Sequence, residues 1–127
     1  MPDEKAIKKK KAAVSKELKR LTAICADFPE NRKALAVGLI ENIAFQRVEL
    51  QRLRDFIAVN GWTELFSQSE KQEPYTRLRP ESDIFTKILS QYAKNIKTLN
   101  DMSPSPIIKR VTQGDDFDEF VESRDRI

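Results

Sequence analysis

Four consecutive lysines, Lys8, Lys9, Lys10 and Lys11, are followed by Lys16, Lys19 and Arg20. Cations at this density suit a polyanion, because each phosphate contacted releases counterions and supplies affinity without sequence preference. The same residues also describe a solvated helix face. Near the other end, Asp115, Asp116, Asp118 and Glu119 are interleaved with Phe117, Phe120 and Val121. No further ligand types stand beside these carboxylates. The pattern fits a docking peptide for a basic groove, with the rings as apolar anchors, better than a metal site. Histidine is absent, which removes the commonest general base and metal ligand. Cys25 is the only cysteine, so neither a thiolate zinc site nor an internal disulfide can form. Three glycines are too few for a phosphate-cradling loop. The inventory predicts a binding protein rather than an enzyme, with no catalytic residue, cofactor or metal.

The chain has 127 residues, with 23 Lys or Arg against 20 Asp or Glu, a balance of +3. That small sum conceals a gradient. Residues 1–20 hold eight basic and three acidic side chains (+5), whereas residues 113–127 hold two basic and six acidic (−4). Opposite charge at the two ends predicts two partners, one polyanionic and one basic. With 39% hydrophobic and 34% charged residues and few glycines, the composition is that of long helices around a modest core. No window of about 18 apolar residues exists, so no transmembrane helix is expected. The first 25 residues lack the apolar run of a secretory signal. A lone cysteine is in keeping with a reducing cytoplasm.

Three helical segments must position these residues. Over 3–26, Ile7, Val14, Leu18, Leu21 and Cys25 recur at helical spacing, with the lysines on the other faces. Repulsion within the lysine run predicts that the first half frays without a counter-charge. Asp27-Phe28-Pro29-Glu30 interrupts the chain, and a long helix follows from about residue 30 to 59, ended by Asn60-Gly61. Its seam is Leu39, Ile43, Leu50, Leu53 and Ile57, with Gln46 in the remaining slot as a candidate register-setter. A second stripe runs through Val37, Ile40, Ala44 and Val48 and, with Phe45 beside it, reaches Phe56. Glu49 and Arg52 stand three apart and can pair on the helix surface. The connection 61–80 carries Trp62, Leu65, Phe66 and Tyr75 around a polar stretch and reads as a loop. Trp62, Phe66 and Tyr75 fit the cap of a helical core better than a base-stacking platform. From Pro80-Glu81 to about Asp101, Phe85, Leu89, Tyr92, Ile96 and Leu99 form a matching seam, stopped by Ser103-Pro104-Ser105-Pro106. Residues 107–114 read as extended.

The fold class expected is all-α, a long antiparallel helical hairpin with a basic N-terminal helix and an acidic C-terminal tail. The divisions are a basic arm (1–28), a hairpin core (29–104) and a flexible acidic tail (105–127). Two helices alone bury too little apolar surface to offset their ordering entropy comfortably. The second stripe of the long helix therefore predicts self-association, through Leu39, Ile40, Ile43, Phe45, Val48, Leu50 and Leu53.

Residues 30–104 resemble the small terminase subunits of tailed bacteriophages and related prophage or satellite elements. The resemblance rests on Leu39-Ile40-Glu41-Asn42-Ile43-Ala44-Phe45-Gln46-Arg47-Val48-Glu49-Leu50, then Val59-Asn60-Gly61. It continues in Pro80-Glu81 and Tyr92-Ala93-Lys94-Asn95-Ile96-Lys97-Thr98-Leu99, closing at Pro104. Between the blocks the chain departs from the family, with Ser67 to Glu73 where many relatives have a glycine-bearing polar turn. The resemblance implies a homo-oligomeric ring that binds double-stranded viral DNA in the bacterial host cytoplasm. It also implies delivery of that DNA to the large terminase subunit, which supplies ATPase and nuclease chemistry. Charge alone assigns Lys8, Lys9, Lys10, Lys11, Lys16, Lys19 and Arg20 to DNA, and Asp115, Asp116, Phe117 and Phe120 to the partner. Competing readings are a coiled-coil scaffold protein without DNA binding and a helical DNA-binding regulator. The latter needs two short helices joined by a tight turn, and only the break at residues 27–29 offers one.

Overall fold

The computed structural model describes residues 3–112, which form four helices and a two-stranded sheet and are mostly helical. Helix α1 spans Glu4–Ile24. The Asp3 carboxylate accepts the Lys5 backbone N–H at 3.0 Å, satisfying one of the donors a helix start leaves open. The fraying predicted for its first half is not seen: the helix is continuous from Glu4. The reason is a counter-charge the sequence did not reveal, since the Lys10 ammonium pairs with Glu49 of the next helix.

Helix α2, Glu30–Asn60, is 31 residues long and so about 46 Å. Pro29 precedes its first turn, and Gly61 ends it at φ 89°, where its N–H donates to the Ile57 carbonyl at 2.7 Å. A side chain at that φ would be strained, so glycine is required. Helix α3 spans Pro80–Met102, with Pro80 in the first turn. Contacts between α2 and α3 run in opposite sequence order. Arg32 donates to the Met102 carbonyl, Asn95 to the Gln46 side chain, and Arg79 to the Asn60 carbonyl. The two helices therefore pass each other antiparallel. Gln46, the candidate register-setter, accepts a hydrogen bond from the Asn95 side chain of its own chain at 2.9 Å.

The connection between them is not a plain loop. Thr63–Phe66 (β1) and Tyr75–Leu78 (β2) pair antiparallel, with Thr63 opposite Leu78 and Phe66 opposite Tyr75. The alternation of two four-residue strands is too brief to announce itself in sequence. One face is cemented by Arg77, whose guanidinium lies 3.4 Å from the Phe66 ring centre and 2.9 Å from the Glu64 carboxylate. Arg79 then caps α2, donating to the carbonyls of Gly61 (3.1 Å) and Asn60 (2.9 Å). Trp62 meets Phe85 edge to face at 5.8 Å while remaining half exposed.

A second correction concerns the stretch after Pro106. Expected to be extended, it forms a short helix, α4, over Ile108–Thr112. The Asn100 side chain at the end of α3 accepts the N–H groups of Ile107 (2.8 Å) and Ile108 (3.3 Å). Ile107 and Val111 are fully buried. One core results, in which Leu21, Cys25 and Phe28 meet Ala36, Ile40 and Ile43 of α2, Ile96 and Leu99 of α3, and these two residues. Of the second stripe of α2, expected to await a neighbouring subunit, Ile40 and Ala44 are buried in the core shared with α1 and Val48 is half-buried, whereas Val37 and Phe45 stay exposed. Leu18, Leu21 and Cys25 make α1 a structural wall rather than a detached arm.

Candidate nucleic-acid interface

Because Val14, Leu18, Leu21 and Cys25 anchor one side of α1, the opposite side faces outward. Lys5, Lys8, Lys9, Lys11, Lys16 and Lys19 are all exposed. Lys5, Lys8, Lys16 and Lys19 stand on the outward side, Lys11 flanks the anchored stripe, and Lys9 borders a groove between α1 and the α2–α3 pair. Lys8 and Lys19 are eleven residues apart, close to three full turns, so they stand one above the other, with Lys5 and Lys16 beside them. None of the six makes a salt bridge with another described residue. Among the described residues the strip carries no neutralising carboxylate in salt-bridge range.

Two cations assigned to DNA by sequence alone are turned inward. Lys10 pairs with Glu49 and lies 5.4 Å from the centre of the Phe45 ring. Arg20 pairs with Glu17 at 2.6 Å and donates to the carbonyls of Arg110 (3.0 Å) and Val111 (2.6 Å), closing the end of α4. Both are fastenings of α1. The sequence reading also missed Lys109 and Arg110, which are exposed on α4 and extend positive charge past the C-terminal end of α1. Their only sequence signal was adjacency of two cations, with no period to place them on a face.

Glu49 is nearly buried, and burial alone would push its carboxyl up. The Lys10 ammonium and the Arg52 guanidinium at 3.1 Å outweigh that and hold it below the usual carboxylate range. A second polar tie joins Arg47 to Glu17 at 3.4 Å and to the Tyr92 hydroxyl at 3.3 Å. Burial pushes the Cys25 thiol up, with Asp27 adding to the effect and Arg110 opposing it. Cys25 is therefore a neutral core residue at ordinary pH.

Of the residues assigned to self-association, Ile40, Ile43, Leu50 and Leu53 are buried within the chain, and Leu39 and Val48 are half-buried. Phe45 remains 52% exposed. The exposed apolar surface lies elsewhere: Leu35 and Val37 on α2, and Val59, Trp62, Leu65, Leu78 and Ile84 around the sheet. Asp115, Asp116, Phe117 and Phe120 lie outside the described residues. Between the first half of α1 and the α2–α3 pair runs a groove of about 770 Å³, its floor formed by Ile7, Val48, Leu50, Phe85 and Leu89.

Among the described residues no cluster of three or more His, Cys, Asp or Glu could hold a metal ion. No described helix is long and apolar enough to cross a membrane. Comparison with family models, curated proteins and solved structures finds no match to this chain.

Proposed function

We propose that this chain is a viral DNA-packaging protein of the small terminase type. In this reading it binds duplex DNA as a homo-oligomeric ring and recruits or regulates a large terminase subunit that carries the ATPase and nuclease chemistry. The observation that carries the reading is the outward lysine strip of α1. Six exposed ammonium groups along one helix, none in a salt bridge with another described residue, offer contacts to backbone phosphates and affinity without base contacts. The resemblance at 39–50, 59–61, 80–81 and 92–99, closing at Pro104, directs that chemistry to genome packaging. Self-association multiplies it, since several strips on one particle act through effective concentration. The surfaces available for a neighbour are the outer side of α2 at Leu35, Val37 and Phe45, and the apolar residues around the sheet. These take the place of the buried seam residues as the contact set. The half-open apolar surface also favours a second reading, a scaffold protein with no role on DNA.

Replacing Lys8, Lys9, Lys11, Lys16 and Lys19 with alanine tests the proposal and spares Lys10 and Arg20, whose loss would loosen α1. Binding to a long duplex, read by fluorescence anisotropy between 50 and 200 mM salt, is expected to fall steeply with salt, on the order of 10³-fold if several phosphates are contacted. The variant should lose both the affinity and most of the salt slope. Its oligomeric mass, read by native mass spectrometry, should stay that of the parent. Unchanged affinity removes DNA from the reading. A monomer at micromolar concentration removes the ring and leaves the scaffold.

A further inference from the structure

We infer that the acidic segment 113–127 of this chain docks, through Phe117 and Phe120, into its own groove between α1, α2 and α3. The groove's volume of about 770 Å³ and apolar floor fit two aromatic side chains with their backbone. Phe117 and Phe120 stand three residues apart, a spacing that puts two anchors on one helical face. The rim is positive on balance. Lys9, Lys10, Arg47, Arg52 and Arg54 line it, against Asp3, Glu17 and Asp55, with Glu49 a fourth carboxylate behind Lys10 and Arg52. The segment brings six acidic side chains and two basic ones.

Connectivity favours this chain's own segment over a neighbour's. Arg20 holds the Val111 carbonyl, one residue before the described chain ends, and the same guanidinium pairs with Glu17 at the edge of the groove. From Glu17 to Asp3 the groove follows α1 for about 21 Å. Phe117 and Phe120 stand five and eight residues beyond Thr112, which an extended tether spans in about 17 and 27 Å, enough to enter the groove from the Glu17 end. A short tether holds the segment at millimolar effective concentration, which a free copy does not match. The docked segment would brace the half of α1 that has the fewest apolar anchors and would occupy the residues otherwise offered to another protein. None of this depends on DNA binding.

The test compares amide hydrogen exchange of the full chain with that of the Phe117→Ser, Phe120→Ser variant, without DNA. Exchange over residues 4–17 should rise about tenfold in the variant, while the buried amides of α2 and α3 stay unchanged and so report an intact fold. A second measurement fixes whose segment is bound. Equal parts of ¹⁴N- and ¹⁵N-labelled full chains, refolded together, are joined by a zero-length carbodiimide. Lys9 or Lys10 should be linked to carboxylates of 115–119 within single-isotope pairs only. Unchanged exchange over 4–17 overturns the inference, and mixed-isotope links overturn it in favour of a second copy.

Discussion

Where α4 packs, Leu21, Leu99, Ile107 and Val111 have no exposed surface; where the sheet stands, Val59 is 84% exposed and Leu65 75%. Four elements meet at the first end, whereas at the second, among the described residues, α2 and α3 are joined by a two-stranded sheet whose Leu65 and Leu78 stay exposed. Polar fastening differs in the same direction. Arg20 and Asn100 tie α4 into the first end by bonds to backbone groups, and the Glu49 and Arg47 clusters hold α1 along the middle. At the sheet, Arg77 fastens the two strands to each other and Arg79 the end of α2 to the connection. Fully buried apolar side chains are thus concentrated at one end, and exposed ones among the described residues at the other. Such a division is what a folded unit that also associates requires.

The sharpest way to break this comparison is a cavity at the closed end. Leu99→Ala removes a fully buried side chain that close packing does not let its neighbours replace, and should cost about 3 kcal/mol in a urea titration. A loss below about 1 kcal/mol would mean that this end is less tightly filled than its burial indicates.

How much of this was legible in the sequence depends on the reach of each interaction. Helix ends were written locally: Pro29, Gly61, Pro80 and the Ser103-Pro104 stop sit where the elements begin and end. The strands were not, because four residues of alternation carry little signal and their pairing joins positions up to fifteen apart. The five-residue α4 was also hidden. No periodicity shows over one turn, and the helix exists because Asn100 caps it and the core takes Ile107 and Val111. The lysine strip followed from spacing along α1. The inward turn of Lys10 and Arg20 did not, since their partners lie 39 and about 90 residues away. The Glu49–Arg52 contact, three residues apart, was within reach of spacing; the Lys10 member of that cluster was not. Likewise the second stripe of α2 was visible, but the burial of Ile40 and Ala44 in a core shared with α1 was a tertiary fact.

A smaller effect tests the middle of the bundle. Glu49→Gln leaves Lys10 and Arg52 without their anion and should cost about 1–2 kcal/mol at neutral pH. Its sign with pH is fixed by the direction of the shift. A carboxyl held below its ordinary pKa stabilises the folded state above that ordinary range, and the contribution disappears as pH falls through the depressed value. The gap between parent and variant in thermal unfolding should therefore close in acid and stay constant from pH 6 to 8. A gap that persists at pH 2 would assign the role of Glu49 to packing instead of charge.

The smallest effect on folding is expected at the open end, and it separates stability from association. Leu65 is on the face of the sheet that also carries Thr63, Thr76 and Leu78, all exposed. Replacing it with serine removes little surface that folding had taken from water, so the unfolding free energy should move by less than about 0.5 kcal/mol. Association reads the same residue differently, because a neighbour packed on this face would bury most of that side chain. Sedimentation velocity of Leu65→Ser across a concentration series should then show weaker self-association than the parent, at equal helical content by circular dichroism. Equal association would move the contact to the α2 surface at Leu35, Val37 and Phe45, where Phe45→Ser gives the corresponding measurement.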